Sequence, residues 1–574
     1  MRWHWLALWT AAAVAMVLAV SVTVNAHPER TTVFPSLKKG AVPKLRHHGA
    51  SRVVCKRDSR RRLRRIYRHH PRSLRKRLRI LRRCRYRNIQ TAINHARSGF
   101  RILIMPGVYK ELPSRRVPVG AYHKEPCPND YVETEGFSNT APPPAGPRSN
   151  DPPVRPDRNY QRKCPNSKNL IAVVGDTRPE PDPDHPITPK CVHLCHLQIL
   201  GLGRKPTDVR IVGDRRKLDV LRIDRATGIY IRNLSVEQGW FNGIDLVEVS
   251  GFRISKVVAR YNQNYGILTY TSEHGLYDHI DAYRNGDSGV YPGSNEKGCD
   301  YVNPNAYGMC DRGTATDSRA GCGPPTTELR RVNSHDNVLG YSGTAGNSTY
   351  IHDSEFHHNS AGLTTDSFAS GHPGMPQECF RWEKNRIYSN NNNFFTAERQ
   401  SYCNGVPFER RPRRIVCPQF QAPVGTGFLI GGGNRNLARN NFIYDNWRWG
   451  VVLFWVPGAL RGDNDPAHQS DTSNGNQFVG NKMGMRPDGK ADPNGLDFWW
   501  DGQGARNCWT RNTSKSGTGR HSDPASLPAC PGSNLIRPAD PLKSGALLPC
   551  SAWDPKRNPR PVACDWFDVP PEPR

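Results

Sequence analysis

The feature that most constrains this chain is an internal repeat of apolar positions leading to a polar corner. An Asn or Gly anchor is preceded by apolar or small residues eight, five and three positions earlier, and a Gly follows three or four positions later. The first set is Ile231, Leu234, Val236, Gly239 and Gly243; the second is Ile254, Val257, Ala259, Asn262 and Gly266; the third is Tyr277, Ile280, Ala282, Asn285 and Gly289. Two more read Leu329, Val332, Ser334, Asn337, Gly340 and Ile351, Ser354, Phe356, Asn359, Gly362, and weaker ones centre on Asn390, Asn446 and Asn481. Anchors lie 23, 23, 52, 22, 31, 56 and 35 residues apart. The apolar positions are period-2 strand signals aimed at one interior. The period and the density of Gly and Asn exclude helical solenoids, and no LxxLxL pattern supports a leucine-rich horseshoe. A stack of 22–23-residue coils remains: an all-β, right-handed parallel β-helix, in which the longer intervals are coils carrying insertions. The repeated Asn predicts an amide ladder at a turn, with Asn itself in the left-handed region, and the repeated Gly is expected to open the next strand at an unusual φ.

Ahead of the repeat, Ile89-Gln90-Thr-Ala-Ile93-Asn-His-Ala96-Arg-Ser-Gly99 predicts a short helix, and Arg101-Ile-Leu-Ile-Met-Pro106-Gly107-Val-Tyr109 a strand and turn. This order resembles the opening of pectin-lyase-like β-helices, in which a helix caps the first coil. The repeats and segments such as Tyr265-Gly-Ile-Leu-Thr, Asn285-Gly-Asp-Ser-Gly-Val-Tyr-Pro-Gly293 and Asp497-Phe-Trp-Trp-Asp-Gly-Gln extend the resemblance over roughly residues 88–515. That superfamily holds polysaccharide lyases, glycoside hydrolases and uronate epimerases, together with non-catalytic surface proteins and a periplasmic copper-site maturation protein. The resemblance therefore implies a polysaccharide ligand without choosing a reaction. Residues 112–190 are Pro-rich and read as an excursion from the solenoid, which is expected over 88–519; residues 520–574, rich in Cys and Pro, read as a disulfide-stapled cap.

The N-terminus carries Arg2, an uncharged run over residues 6–24 and the small-residue site Val24-Asn25-Ala26, which reads as an export signal over 1–26, with an uncleaved anchor as the alternative. Sixteen cysteines with no CxxC pair fit an oxidising compartment, so the chain is expected to be secreted or on the cell surface. Local spacing suggests Cys55–Cys84, Cys127–Cys164, Cys403–Cys417, Cys508–Cys530 and Cys550–Cys564, and the Cys191-Val-His193-Leu-Cys195-His196 cluster is read as a disulfide or loop rather than a zinc site. Net charge is +30, and residues 52–87 hold 18 Lys or Arg against Asp58 alone, so 18 − 1 = 17 of it sits there. This basic arm, within 27–87, reads either as a tether to anionic envelope polymers or lipid headgroups or as a plain solvated face, and Leu74, Leu78 and Leu81 place part of it on a helix. Export disfavours nucleic acid, membrane contact is expected only through the N-terminal segment or the arm, and a monomer is expected.

Four insertions follow Tyr291-Pro-Gly, Thr365-Asp366-Ser367, Glu398-Arg399 and Phe454-Trp455, in each case shortly after the strand begun by the repeated Gly or, in the third, by Phe394. Such loops would wall a groove over one face. The same alignment sets Asp366 and Glu398 on neighbouring coils, ~4.8 Å apart. Two carboxylates at that distance can bind Ca²⁺ or divide acid and base roles in glycoside cleavage. Arg399 is the candidate for neutralising a uronate, Tyr291, Tyr270 and His274 for proton transfer or substrate contact, and Trp455 and Trp499 for stacking on sugar rings, Trp499 and Trp500 pointing to opposite sides. The His335-Asp336 and His357-His358 pairs read as surface polar residues at the ladder corner. An enzyme acting on polysaccharide and a non-catalytic glycan-binding surface protein both fit.

Overall fold

The computed structural model describes residues 32–35, 40–111, 158–181, 187–215, 217–297, 322–368, 372–458, 473–515, 521–551 and 564–573. The export-signal segment, Cys127, Cys299 and Cys310 lie outside the described residues. Strands of successive coils pair in parallel and form two long sheets, of 19 and 11 strands. The strands Thr227–Glu237, Ser250–Arg260 and Glu273–Tyr283 each bend midway at a residue of positive φ, namely Asn233 (57°), Lys256 (51°) and His279 (58°). The larger sheet thus supplies two faces, the first before the bend and the second after it, and the smaller a third, and the fold is a right-handed parallel β-helix.

The predicted inward positions form the core. Ile254 pairs with Ile231, Val257 with Leu234 and Ala259 with Val236, and all six side chains are fully buried. Each large aliphatic among them contributes roughly 1.5–3 kcal/mol by leaving water. The helix Ile89–Asn94 closes the N-terminal end through Ile89, Ala92 and Ile93.

The corner asparagines form the expected ladder. Nδ2 of each donates to Oδ1 of the next, from Asn262 through Asn285, Asn337, Asn359, Asn390 and Asn446 to Asn494, at 2.9–3.3 Å. Asn481, read from sequence as the last anchor, belongs to a second ladder with Asn385, Asn441 and Asn512 at the bend, and a third joins Gln377, Asn436, Asn476 and Asn507. The positive φ falls one position before each Asn, on Tyr261 (59°), Arg284 (56°), Asp336 (56°) and His358 (53°), not on the Asn. The repeated Gly is required by space rather than by φ. A Cβ on Gly266 would lie 2.4 Å from the carbonyl oxygen of Gly289 and 3.0 Å from Nδ2 of Asn285, and a Cβ on Gly340 would lie 2.9 Å from Nδ2 of Asn359.

Several boundaries move. The strand Ser51–Val54 pairs with Arg101–Ile104, so the basic arm contains a strand of the solenoid. Its helices Ser59–Ile66 and Pro71–Leu81 pack Leu74, Leu78 and Leu81 against a cluster with Leu63 and Tyr67, closed by the Cys55–Cys84 disulfide. The Pro-rich stretch likewise contributes the strand Asn169–Val174 to the third face. Cys191–Cys195, Cys403–Cys417, Cys508–Cys530 and Cys550–Cys564 are disulfides as read, and Cys322–Cys379 is a further one. In the C-terminal tail, Leu547, Cys550, Cys564, Trp566 and Phe567 join Phe395, Val424, Phe454 and Trp499 in one buried cluster. The tail therefore covers the outside of the third face as well as the end of the solenoid.

If the Gly positions answer to the ladder, Gly266→Ala should lower unfolding free energy by about 1–3 kcal/mol through overpacking. Gly405→Ala, with nothing within 4 Å of the new Cβ, should stay within about 0.5 kcal/mol of the parent. Denaturant unfolding of the two variants measures the contrast.

Candidate functional site

The four insertions do not share one strand end. Those after Ser288–Gly293, Ala361–Asp366 and Trp449–Phe454 leave where the third face ends. The remaining one leaves at the Asn corner directly after Asn390, because the strand pairing with Ala361–Asp366 is Thr426–Gly431. Gly427, not Phe394, holds the repeated Gly position, with its carbonyl oxygen 2.5 Å from a Cβ built on Gly362. Asp366 therefore faces Gly431 across the strand pair, and Glu398 lies on the insertion helix Ala397–Gly405, exposed in its first turn. The two carboxylates are not brought together, either as an acid pair or as a shared cation site. Among the described residues, no group of three or more His, Cys, Asp or Glu is placed to hold a metal ion.

The third face is also closed. Asp366 is 2% exposed and accepts from the Thr344 hydroxyl (2.8 Å) and the Phe368 amide (3.2 Å); burial pushes its pKa up to about 6 against both bonds. Tyr291 and Tyr270 are buried in an aromatic cluster with Tyr265 and Leu268. Trp499 lies under the tail, with Lys543 4.8 Å from its ring centroid, whereas Trp500 points inward as alternation required. Trp455 is half-buried, its amide donating to Asp501. Arg399 donates to the carbonyl of Val416, and His274 sits at the far corner of its coil.

The second face differs. Its outward column runs in register through Arg260, Tyr283, His335, His357, Tyr388 and Tyr444. The last five rings stack face to face along the solenoid axis, with centroids 5.0, 5.1, 4.8 and 5.0 Å apart and planes within 15°. Of the five, Tyr283, His335, His357 and Tyr388 are half-buried, and Tyr444 is buried. The next outward column, two residues earlier, carries Asp281, Asn333, Glu355 and Arg386.

Hydrogen bonds between these columns fix protonation. His335 meets Asp281 through Nε2 (3.3 Å) and Asp336 through Nδ1 (3.0 Å). Burial opposes its charge, but the hydrogen bonds and charges of the two aspartates prevail and push its pKa up to about 9. His357 is driven the other way, to about 4, by burial and by the charges of His335 and His358. Asn333 donates to Asp281 (3.1 Å), so its Oδ1 accepts from Nε2 of His357 (2.9 Å). Nδ1 of neutral His357 must then accept from Nδ1 of His358 (2.7 Å). His358 itself is exposed, and its Nε2 makes no hydrogen bond among the described residues. The rings of Tyr388 and His358 lie 6.2 Å apart; burial and Glu355 push the Tyr388 phenol up to about 12, and it donates to Glu355 (3.3 Å).

No family model and no curated protein matches the chain. Among solved structures, the ORF18 protein of Geobacillus virus E2 is similar over 75% of this chain and 58% of its own length, at 12% identity with a TM-score of 0.35. A pectate lyase is similar over 78% of this chain and 76% of its own (10% identity, TM-score 0.28). The A-module of a mannuronan C-5 epimerase of Azotobacter vinelandii is similar over 75% and 95% (13% identity, TM-score 0.34). The chain thus spans less than two thirds of the viral protein.

The two histidines should titrate apart. With a folded pKa above the ordinary 6.5, His335 contributes stability that is fully present below about pH 6.5 and is lost as pH rises through about 9. His357, with its folded pKa below 6.5, contributes above about pH 6.5 and loses it as pH falls through about 4. Imidazole NMR at pH 6 to 8 should show His335 charged and His357 neutral throughout; one shared midpoint near 6.5 would overturn the network.

Proposed function

We propose that this protein is an exported enzyme that acts on an acidic polysaccharide lying along the second face, by abstracting the proton next to a uronate carboxyl. The observation that carries this reading is the outward ring column, in which His335 is held charged and His357 neutral, with the protonated Tyr388 phenol in the same column and the exposed His358 at the adjoining corner. Groups whose surroundings push their pKa values apart supply acid and base roles at one pH. The five-ring column extends roughly 20 Å at ~4.8 Å per coil, a strip that suits an extended polymer better than a compact ligand. The resemblance to pectin-lyase-like β-helices and the net charge of +30 favour an acidic glycan. Disulfides distributed from Cys55 to Cys564 favour an extracytoplasmic setting.

In this mechanism Nε2 of His358, in its neutral form, takes the proton from the sugar carbon bearing the carboxyl. The C–H electron pair forms a double bond as the adjacent C–O bond to the next sugar breaks. The Tyr388 phenol gives its proton to the departing oxygen, and solvent restores both groups. Hydrolysis by two carboxylates is less well served, because Asp281 is engaged by His335 and Asn333, and Glu355 by Arg386 and Tyr388.

The test is a panel of uronate polymers, followed by the absorbance of unsaturated ends. The full chain should produce them, and His358→Ala and Tyr388→Phe should each lower the rate by about 100-fold or more while retaining polymer binding. Binding with no unsaturated product from any polymer would instead favour a non-catalytic glycan-binding protein.

A further inference from the structure

Beside the N-terminal end of the ring column, where the Asn corner meets the insertion over 391–425, there is a small, partly open cavity. Arg215, Arg284, Arg411 and Arg413 line it, and no Asp or Glu does. They come from separate parts of the chain. Arg215 precedes the third-face strand Asp219–Asp224, Arg284 is the corner residue after Tyr283, and Arg411 and Arg413 belong to the insertion closed by Cys403–Cys417.

Four guanidinium groups around one space repel one another, so something must hold them. Nη1 of Arg215 donates to the carbonyls of Phe408 (3.2 Å), Glu409 (3.0 Å) and Arg411 (2.7 Å). Arg411, 3% exposed, donates to Val406 and Cys403, each at 2.6 Å. The Gln238 carboxamide, with its oxygen toward the cavity, accepts from Arg215 (3.0 Å) and Arg413 (2.5 Å). Every one of these acceptors is neutral. Arg284 makes no hydrogen bond among the described residues. Burial pushes Arg411 down to about 10, and burial together with the charge of Arg413 lowers Arg215. The charges of Glu409, near Arg215 and Arg411, and of Asp336, near Arg284, offset part of this; a desolvated guanidinium is ordinarily matched by an anion, and four guanidinium groups against two carboxylates leave the pocket net positive.

We propose that this cavity binds one oxyanion group, a carboxylate or sulfate, of an acidic glycan. Guanidinium forks suit such groups by paired charge-assisted hydrogen bonds. The assignment stands on the cavity itself and does not require the second face to be catalytic. If both hold, Arg284 lies two coils from His358 in the corner column, roughly 10 Å at ~4.8 Å per coil, so the acidic group of one sugar would be anchored while another meets the base.

Calorimetry on the full chain, with inorganic sulfate, a uronate oligosaccharide, a sulfated oligosaccharide and an uncharged oligosaccharide of equal length, tests this. The charged ligands should bind, more weakly as salt rises, and the uncharged one should not. Arg284→Ala with Arg413→Ala should weaken binding by about tenfold or more; both are spared the main-chain contacts that Arg215 and Arg411 make. Arg381→Ala on the first face should change nothing, and His358→Ala should keep anion binding while losing turnover, which separates this assignment from the proposed reaction. Sulfate binding alone would support an oxyanion pocket and identify a free ion as its source. Equal affinity in the parent and the double variant, or no binding of any anion, would overturn it.

Discussion

A buried carboxamide that donates to the coil after it and accepts from the coil before it can exist only where those coils are in register. From Asn262 to Asn494 that condition is met six times in succession. An interior amide left unpaired costs about 1–3 kcal/mol, so slipping one coil would sacrifice bonds on both sides of it. The ladder also dictates its surroundings. It excludes a side chain at the Gly that faces each rung, and a left-handed residue stands one position before each Asn from Asn262 to Asn446. Position −2 then points outward from the second face. The column from Arg260 to Tyr444 is therefore stacked by the same register that builds the core.

The C-terminal tail and the insertion after Asn390 lie over the third face, and Asp366, Tyr270, Tyr291 and Trp499 are buried beneath such cover. The second face leaves its rings from Tyr283 to Tyr388 half-exposed and has the arginine-lined cavity at one end. His335 and His357 belong to one stack yet are driven to opposite protonation states, because Asp281 and Asp336 bind the first while burial and the charges of His335 and His358 act on the second.

The repeat was legible because the core positions and corner Asn recur with little interruption in the coils of 22–23 residues. Asn481 was misplaced because three Asn ladders run in parallel, and composition alone does not tell one corner from another. Phe394 took the Gly position wrongly because a long insertion begins right at the corner, and that error carried Glu398 into a false pairing with Asp366. The tail over Trp499 joins residues far apart in sequence and has no periodic signature. The ring column did have one: Tyr283, His335, His357, Tyr388 and Tyr444 each stand two residues before a corner Asn. That alignment was present in the repeat, but insertions attract attention to the faces they flank, and here they cover the face rather than open it.

The central claim is that the second face, not the third, receives the ligand. A crystal structure of the full chain soaked with an acidic oligosaccharide addresses it directly. Sugar density is expected along the rings from Tyr283 to Tyr388, with an acidic group among Arg284, Arg411 and Arg413. Density over Asp366 and Trp499 instead, with those covering segments displaced, would contradict the account.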